Sequence, residues 1–170
     1  MTTRELTMSA FFVILIAICA QLTIPTPIIP FTLQVFAVAL AGLCLNKKQI
    51  IFTLSVYILV GLMGLPVFSN GQAGIAMILK PSFGFIVGFI PMALLIKKKP
   101  IVAWLSLYAI ALPFLYLNMK YILHVDPSFI SVIKLYFLTF IPTDLFSLFG
   151  AFYISKRITM TGSSPSKRPH

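Results

Sequence analysis

Only three acids occur in the 170 residues, and one of them, Asp144, stands inside the apolar run "FIPTDLFSLFGAFY". A carboxyl group at the middle of a bilayer costs about 2.5–3.5 kcal/mol or more, so an intramembrane acid marks a ligand or ion site first and a helix cap second. Pro142, two residues earlier, predicts a kink or a restart of the helix. A restart would place Asp144 in a first turn, where free N–H groups and the helix dipole favour an anion. Of the other acids, Glu5 sits beside Arg4, and Asp126 lies in "HVDPSF". A second polar group falls in "GLPVFSNGQAG". There Asn70 and Gln72 can both donate and accept, among Gly64, Gly71 and Gly74, which permit close backbone approach to a small molecule. Phe68, Phe83 and Phe85 offer flat apolar walls. The same stretch also reads as an ordinary external loop with interfacial aromatics. Tyr57 and Gln34 can face inward or outward, and Gln34 reads equally as a helix-end amide.

These residues do not assemble an enzyme. The chain has no nucleophile elbow, no metal-ligand spacing, no phosphate-binding glycine loop and no acid–base pair. His124 is a single loop histidine, and Cys19 and Cys44 lie within apolar runs as small buried hydrophobes rather than a disulfide or a metal pair. The expectation is a protein that is not an enzyme, with no cofactor and no metal. Nothing in the chain supplies energy for uphill transport.

The elements that carry these residues must be membrane helices. Hydrophobic residues make up 59% of the chain, charged residues 9%, and the mean hydropathy is +1.04, more apolar surface than a soluble chain of this length can hide. The net charge of +10 sits in short clusters between apolar runs, which excludes a nucleic-acid groove and fits loops against membrane lipid. With about 20 helical residues needed per crossing, the spans fall at 6–24, 31–45, 50–63, 75–96, 101–123 and 130–154. The first is read as a retained helix rather than a cleaved leader. Arg4, Lys47 and Lys48, Lys97 to Lys99, and the tail with Lys156, Arg157, Lys167 and Arg168 fall on one side if six spans leave both termini inside. The positive-inside rule makes that side cytoplasmic. Lys80, Lys120 and Lys134 fall elsewhere. The outer connections, "PTPIIP", "GLPVFSNGQAG" and "HVDPSF", are rich in Pro, Gly and Phe; irregular backbone at membrane depth is tolerated where it lines a cavity. The expectation is an all-α integral membrane protein of the plasma membrane: a six-helix domain at 1–158 with an outward-facing cavity, and a disordered polar tail at 159–170.

Four motifs carry a resemblance. "AQLTIPTPIIPFTLQVFAVALAGLCL" resembles the opening signature of the BioY family, biotin-binding S components of energy-coupling-factor (ECF) transporters. "YILVGLMGLPVFSNGQAG", "PSFGFIVGF" and "FIPTDLFSLFGA" are similar to the later ones, in order, over about residues 8–155. The resemblance implies a six-helix S component that takes biotin from outside and docks on a T subunit driven by two ATPase subunits. It implies Asp144 as anchor for the ureido N–H groups, Asn70 and Gln72 for the ureido oxygen or the valerate, and Phe68 and Phe85 beside the thiophane ring. The proline hinge becomes a stiff lid, whose fixed φ angles limit the entropy lost on closure. The chain departs from the pattern at Ser147, where the family has lysine, and at Lys80, which replaces a family glycine and either supplies the missing positive charge or simply snorkels to the interface. Phe83-Gly84-Phe85 makes a bulkier floor, and Val13 and Ile14 put branched side chains on a docking face that favours small ones. A different small vitamin, or a solitary biotin facilitator without ATPases, remain the alternatives.

Overall fold

The computed structural model describes residues 1–24 and 29–162, with side chains as far as Ile158. Most of the expected lid (25–28) and the end of the expected tail (163–170) lie outside the described residues. Helix α1 (Thr3–Gln21) begins at a capping box: Thr2 Oγ1 accepts the Glu5 N–H, and the Glu5 carboxylate accepts the Thr2 N–H. A two-residue antiparallel pair follows, β1 (Thr23–Ile24) against β2 (Phe31–Thr32), with Thr23 opposite Thr32. It leads into α2 (Gln34–Cys44) and then α3 (Lys47–Leu62), which opens on a second capping box between Asn46 and Gln49. Irregular chain with 3-10 turns at Ser69–Gly71 and Ile75–Leu79 precedes α4 (Phe83–Leu95). Helix α5 (Pro100–Tyr121) has proline at its start, where a missing N–H leaves no bond unmade. A short α6 (Phe129–Val132) runs through a π-helical turn, Ile133–Phe137, into α7 (Leu138–Gly162).

Three of the described helical stretches are long and apolar enough to cross a membrane: Thr3–Gln21, Pro100–Tyr121 and Phe129–Ile158. Helices α2 and α4, at 11 and 13 residues, are shorter than the runs 31–45 and 75–96 expected to hold them. The leading end of the first run is spent on β2 and that of the second on a 3-10 turn and Pro81. Helix α2 is buried on every side from Ala37 to Ala41, packed among α1, α3, α4 and α7, as a helix without a polar face must be. Glycines set the tightest helix contacts. A Cβ on Gly88 would stand 2.8 Å from the Leu107 carbonyl oxygen, and one on Gly84 2.7 Å from Phe114 Cβ, so α4 lies directly on α5. Small residues permit this approach between apolar helices.

The helix does not restart at Pro142: α7 runs through it, so Asp144 is not at a helix N-terminus. The proline removes one backbone donor, and the helix has a π turn just ahead of it and threonine hydroxyls bonded back onto the chain on either side. Thr139 Oγ1 donates to the Leu135 carbonyl, and Thr143 Oγ1 to the Phe140 carbonyl at 2.8 Å. Such adjustments are how apolar helices tolerate an internal proline.

The basic clusters gather at one end of the bundle. Asn46 Nδ2 donates to Glu5 Oε1 at 3.0 Å, Gln49 Nε2 to the Glu5 carbonyl at 3.2 Å, and Lys97 Nζ to the Leu45 carbonyl at 2.9 Å. Helices α2 and α7 run side by side in the same direction, with the Phe31 ring on Phe140 and Phe36 against Gly150. Lys156 and Arg157 therefore finish at that same end.

Candidate functional site

At the other end, α4, α5 and α7 converge with β2 and the start of α2 around a buried carboxyl group. Asp144 is 3% exposed. Trp104 Nε1–H donates to its Oδ2 at 2.8 Å, and the Tyr108 hydroxyl to the same oxygen at 2.5 Å. Trp104 and Tyr108 are four residues apart on α5, hence on one face, and Phe137 of the π turn packs edge-on against Tyr108 and tilted against Trp104. Both donors are thus fixed by aromatic contacts, and both fall on one carboxyl oxygen. Among the described residues Oδ1 receives no hydrogen bond, which leaves it available as an acceptor.

A cavity at this end is lined by Asp144 and Tyr108, by the rings of Phe85, Phe89 and Phe140, and by the polar side chains of Thr32, Gln34, Ser69 and Ser82. Phe85 stacks on Phe140 and meets Tyr108 edge-on. Its volume is about 40 Å³; pockets that hold small molecules run to about 300–1,000 Å³, so a wall must move for a ligand to enter. A larger, more open groove of about 590 Å³ lies alongside, between the β1–β2 pair and Pro142, Thr143, Phe146 and Ser147 of α7, and Thr32 lines both spaces. An apolar, aromatic-walled space with one carboxyl and a few hydroxyl and amide groups suits a neutral ring bearing N–H groups. Among the described residues no three His, Cys, Asp or Glu side chains gather as metal ligands.

The residues singled out in the sequence separate in space. Asp144, Gln34 and Phe85 line the cavity. Tyr57 stands behind Gln34: Gln34 Nε2 donates to the Tyr57 hydroxyl at 2.7 Å, which donates onward to the Val67 carbonyl at 3.0 Å. Phe68 is fully buried, edge-on to Tyr57 and over Gly61, where a Cβ would come within 2.3 Å of its ring. Asn70 is exposed at a positive φ of 59°, next to Gly71 at 68°, and Gln72 pairs by its backbone with Phe68. Lys80 is exposed, and its carbonyl accepts the Phe83 N–H. None of Phe68, Asn70, Gln72, Tyr57 and Lys80 is among the residues lining the cavity; the segment 66–72 reaches it through Ser69 instead. Gly64, Gly71 and Gly74 all have positive φ, with no protein atom within 4 Å of where a Cβ would stand, so turn geometry is what requires glycine there. Ser147 is buried and faces the larger groove.

Sequence reasoning missed Trp104 and Tyr108, the only tryptophan in the chain and a tyrosine four residues on, whose inward-facing side no sequence pattern marks. It also missed Gln21. That side chain, at the end of α1, donates to the Pro66 carbonyl at 3.1 Å and to the Phe68 carbonyl at 3.0 Å, and accepts the Gly71 N–H at 2.9 Å.

Known proteins share this architecture and sequence. A solved structure described as the S-component for biotin from an ECF-type ABC transporter superposes with a TM-score of 0.71 over 94% of this chain and 95% of that one, at 24% identity; at that identity the likeness establishes the fold. A probable biotin transporter BioY of Lysinibacillus sphaericus is 36% identical over 92% of this chain and 87% of its own length. The biotin transporter BioY of Thermotoga maritima is 41% identical over 59% of this chain and 62% of its own. Residues 1–163 match the BioY family. A full-length match of that kind, on a bundle of the same fold and with the resembling motifs in order along it, means that the chain belongs to the BioY family.

Proposed function

We propose that this chain is the biotin-binding membrane subunit of an ECF-type transporter. The observation that carries the reading is Asp144, a carboxyl buried in an apolar helix, lining an aromatic cavity, with one oxygen fixed by Trp104 and Tyr108 and the other left free of described donors. Oδ1 accepts one ureido N–H of biotin, and Phe85 and Phe140 lie beside the fused rings. Gln34 supplies a further polar contact on the opposite wall. Because Oδ2 is already committed to two donors, the grip is one-sided rather than shared between both oxygens. Asn70, Gln72 and Lys80, which do not line the closed cavity, meet the valerate once the walls part; Phe68 and Tyr57 pack behind segment 66–72.

The orientation follows from charge. With the basic end in the cytoplasm, six spans put both termini inside, and the cavity opens toward the outer face of the plasma membrane. A T subunit and two ATPase subunits supply the energy that the chain lacks. A thermal-shift screen of the purified chain across small vitamins tests the ligand: biotin alone raises the melting temperature if the reading holds. A larger shift with another vitamin would replace biotin, an outcome that Ser147 in place of the family lysine makes worth the screen. Uptake of labelled biotin by cells lacking any T subunit would instead favour a solitary facilitator.

A further inference from the structure

A ligand enters a cavity this small only if a wall moves, and the walls are not equally movable. Those on α4 and α5 are locked by glycine packing, with no room for even a methyl group at Gly84 or Gly88. The wall that carries Ser69 is irregular chain. Its three consecutive carbonyls, Pro66, Val67 and Phe68, are not paired in a helix or a sheet; side chains meet them. Gln21 donates to the first and third and Tyr57 to the second, and Gln21 also accepts the Gly71 N–H. With no helix or sheet ladder across these three carbonyls, the side-chain bonds are what hold the wall in place. Tyr57 is tied through Gln34 to the wall opposite, whereas among the described residues Gln21 makes the side-chain hydrogen bonds that tie the loop to α1.

We infer that Gln21 is a positioning residue for the ligand site: a clamp at the end of α1 that holds segment 66–71, and with it Ser69, against the cavity, and so sets how long a bound ligand stays. It touches no ligand itself. The inference rests on the ligand-binding reading above, and it predicts a kinetic asymmetry. Loosening a wall that is already in place on the bound molecule speeds escape, while entry, which needs the wall open, is little changed.

The test uses the full chain in detergent with Gln21→Met, which keeps length and apolar shape without hydrogen bonds, and Gln21→Glu, which keeps an acceptor for Gly71 but loses both donated bonds. Labelled biotin should leave both variants about tenfold faster, with association changed by less than about threefold. In the unliganded protein, hydrogen exchange at the Gly71 amide should speed up in Gln21→Met, with exchange in α4 and α5 unchanged. Unaltered dissociation together with unaltered Gly71 exchange would overturn the clamp. So would equal losses in both rate constants with exchange raised throughout the bundle, since that is what general destabilisation does. Should the unmodified chain fail to bind biotin, the ligand reading falls by itself, and the exchange measurement still decides whether Gln21 holds the segment.

Discussion

At Asp144 two aromatic donors converge on one oxygen of a buried carboxyl group, which fixes the side chain without help from a helix terminus. Removing the hydroxyl in Tyr108→Phe leaves Trp104 as the single donor. It should lower stability by about 1 kcal/mol and weaken biotin binding several-fold, read by thermal unfolding and by titration. Combined with Trp104→Phe the losses should not add, because both donors serve the same atom; strict additivity would show that they position Asp144 independently. The acid itself was legible in the sequence, since a lone carboxyl in an apolar run has few other uses. Its donors were not. Trp104 and Tyr108 lie in a helix apolar all round, where no pattern says which face turns inward. Gln34 and Tyr57 are 23 residues apart and meet only through the fold.

Among the elements, the helices stand close to where the apolar runs put them, and the departures come from proline and glycine. Pro142 suggested a kink or a restart, yet α7 runs through it behind a π turn. The spans at 31–45 and 75–96 begin as β2 and a 3-10 turn, and helix starts only at Gln34 and Phe83. Glycine contacts were half legible: Gly84 and Gly88, four apart, mark a helix face of close approach, but the partner could not be named. Gly88→Ala drives a methyl group to within 2.8 Å of the Leu107 carbonyl oxygen, a backbone atom that cannot step aside. It should cost about 1–3 kcal/mol, measured as a lower unfolding midpoint. Gly61→Ala meets only the Phe68 ring at 2.3 Å; the ring can be displaced, so the variant should fold and lose ligand affinity through a shifted 66–71 segment.

For the whole molecule, the basic clusters and the cavity lie at opposite ends of the bundle, an arrangement whose charge pattern was plain in the sequence and whose geometry needed the contacts of Glu5, Leu45 and Gly150. In a background with Cys19 and Cys44 replaced by alanine, Lys98→Cys should react with a membrane-impermeant thiol reagent only from the cytoplasmic side. Lys80→Cys, beyond the other end of α4, should react only from outside. Labelling in the reverse sense would invert the orientation and move the cavity to the cytoplasmic face. The most direct measurement is a biotin titration of the purified chain beside Asp144→Asn, with the unfolding midpoints of both recorded. The account predicts saturable binding at one biotin per chain and a loss of about tenfold or more in the variant, corresponding to about 1.4 kcal/mol or more, while the fold survives. Equal affinity in a folded Asp144→Asn chain would contradict it.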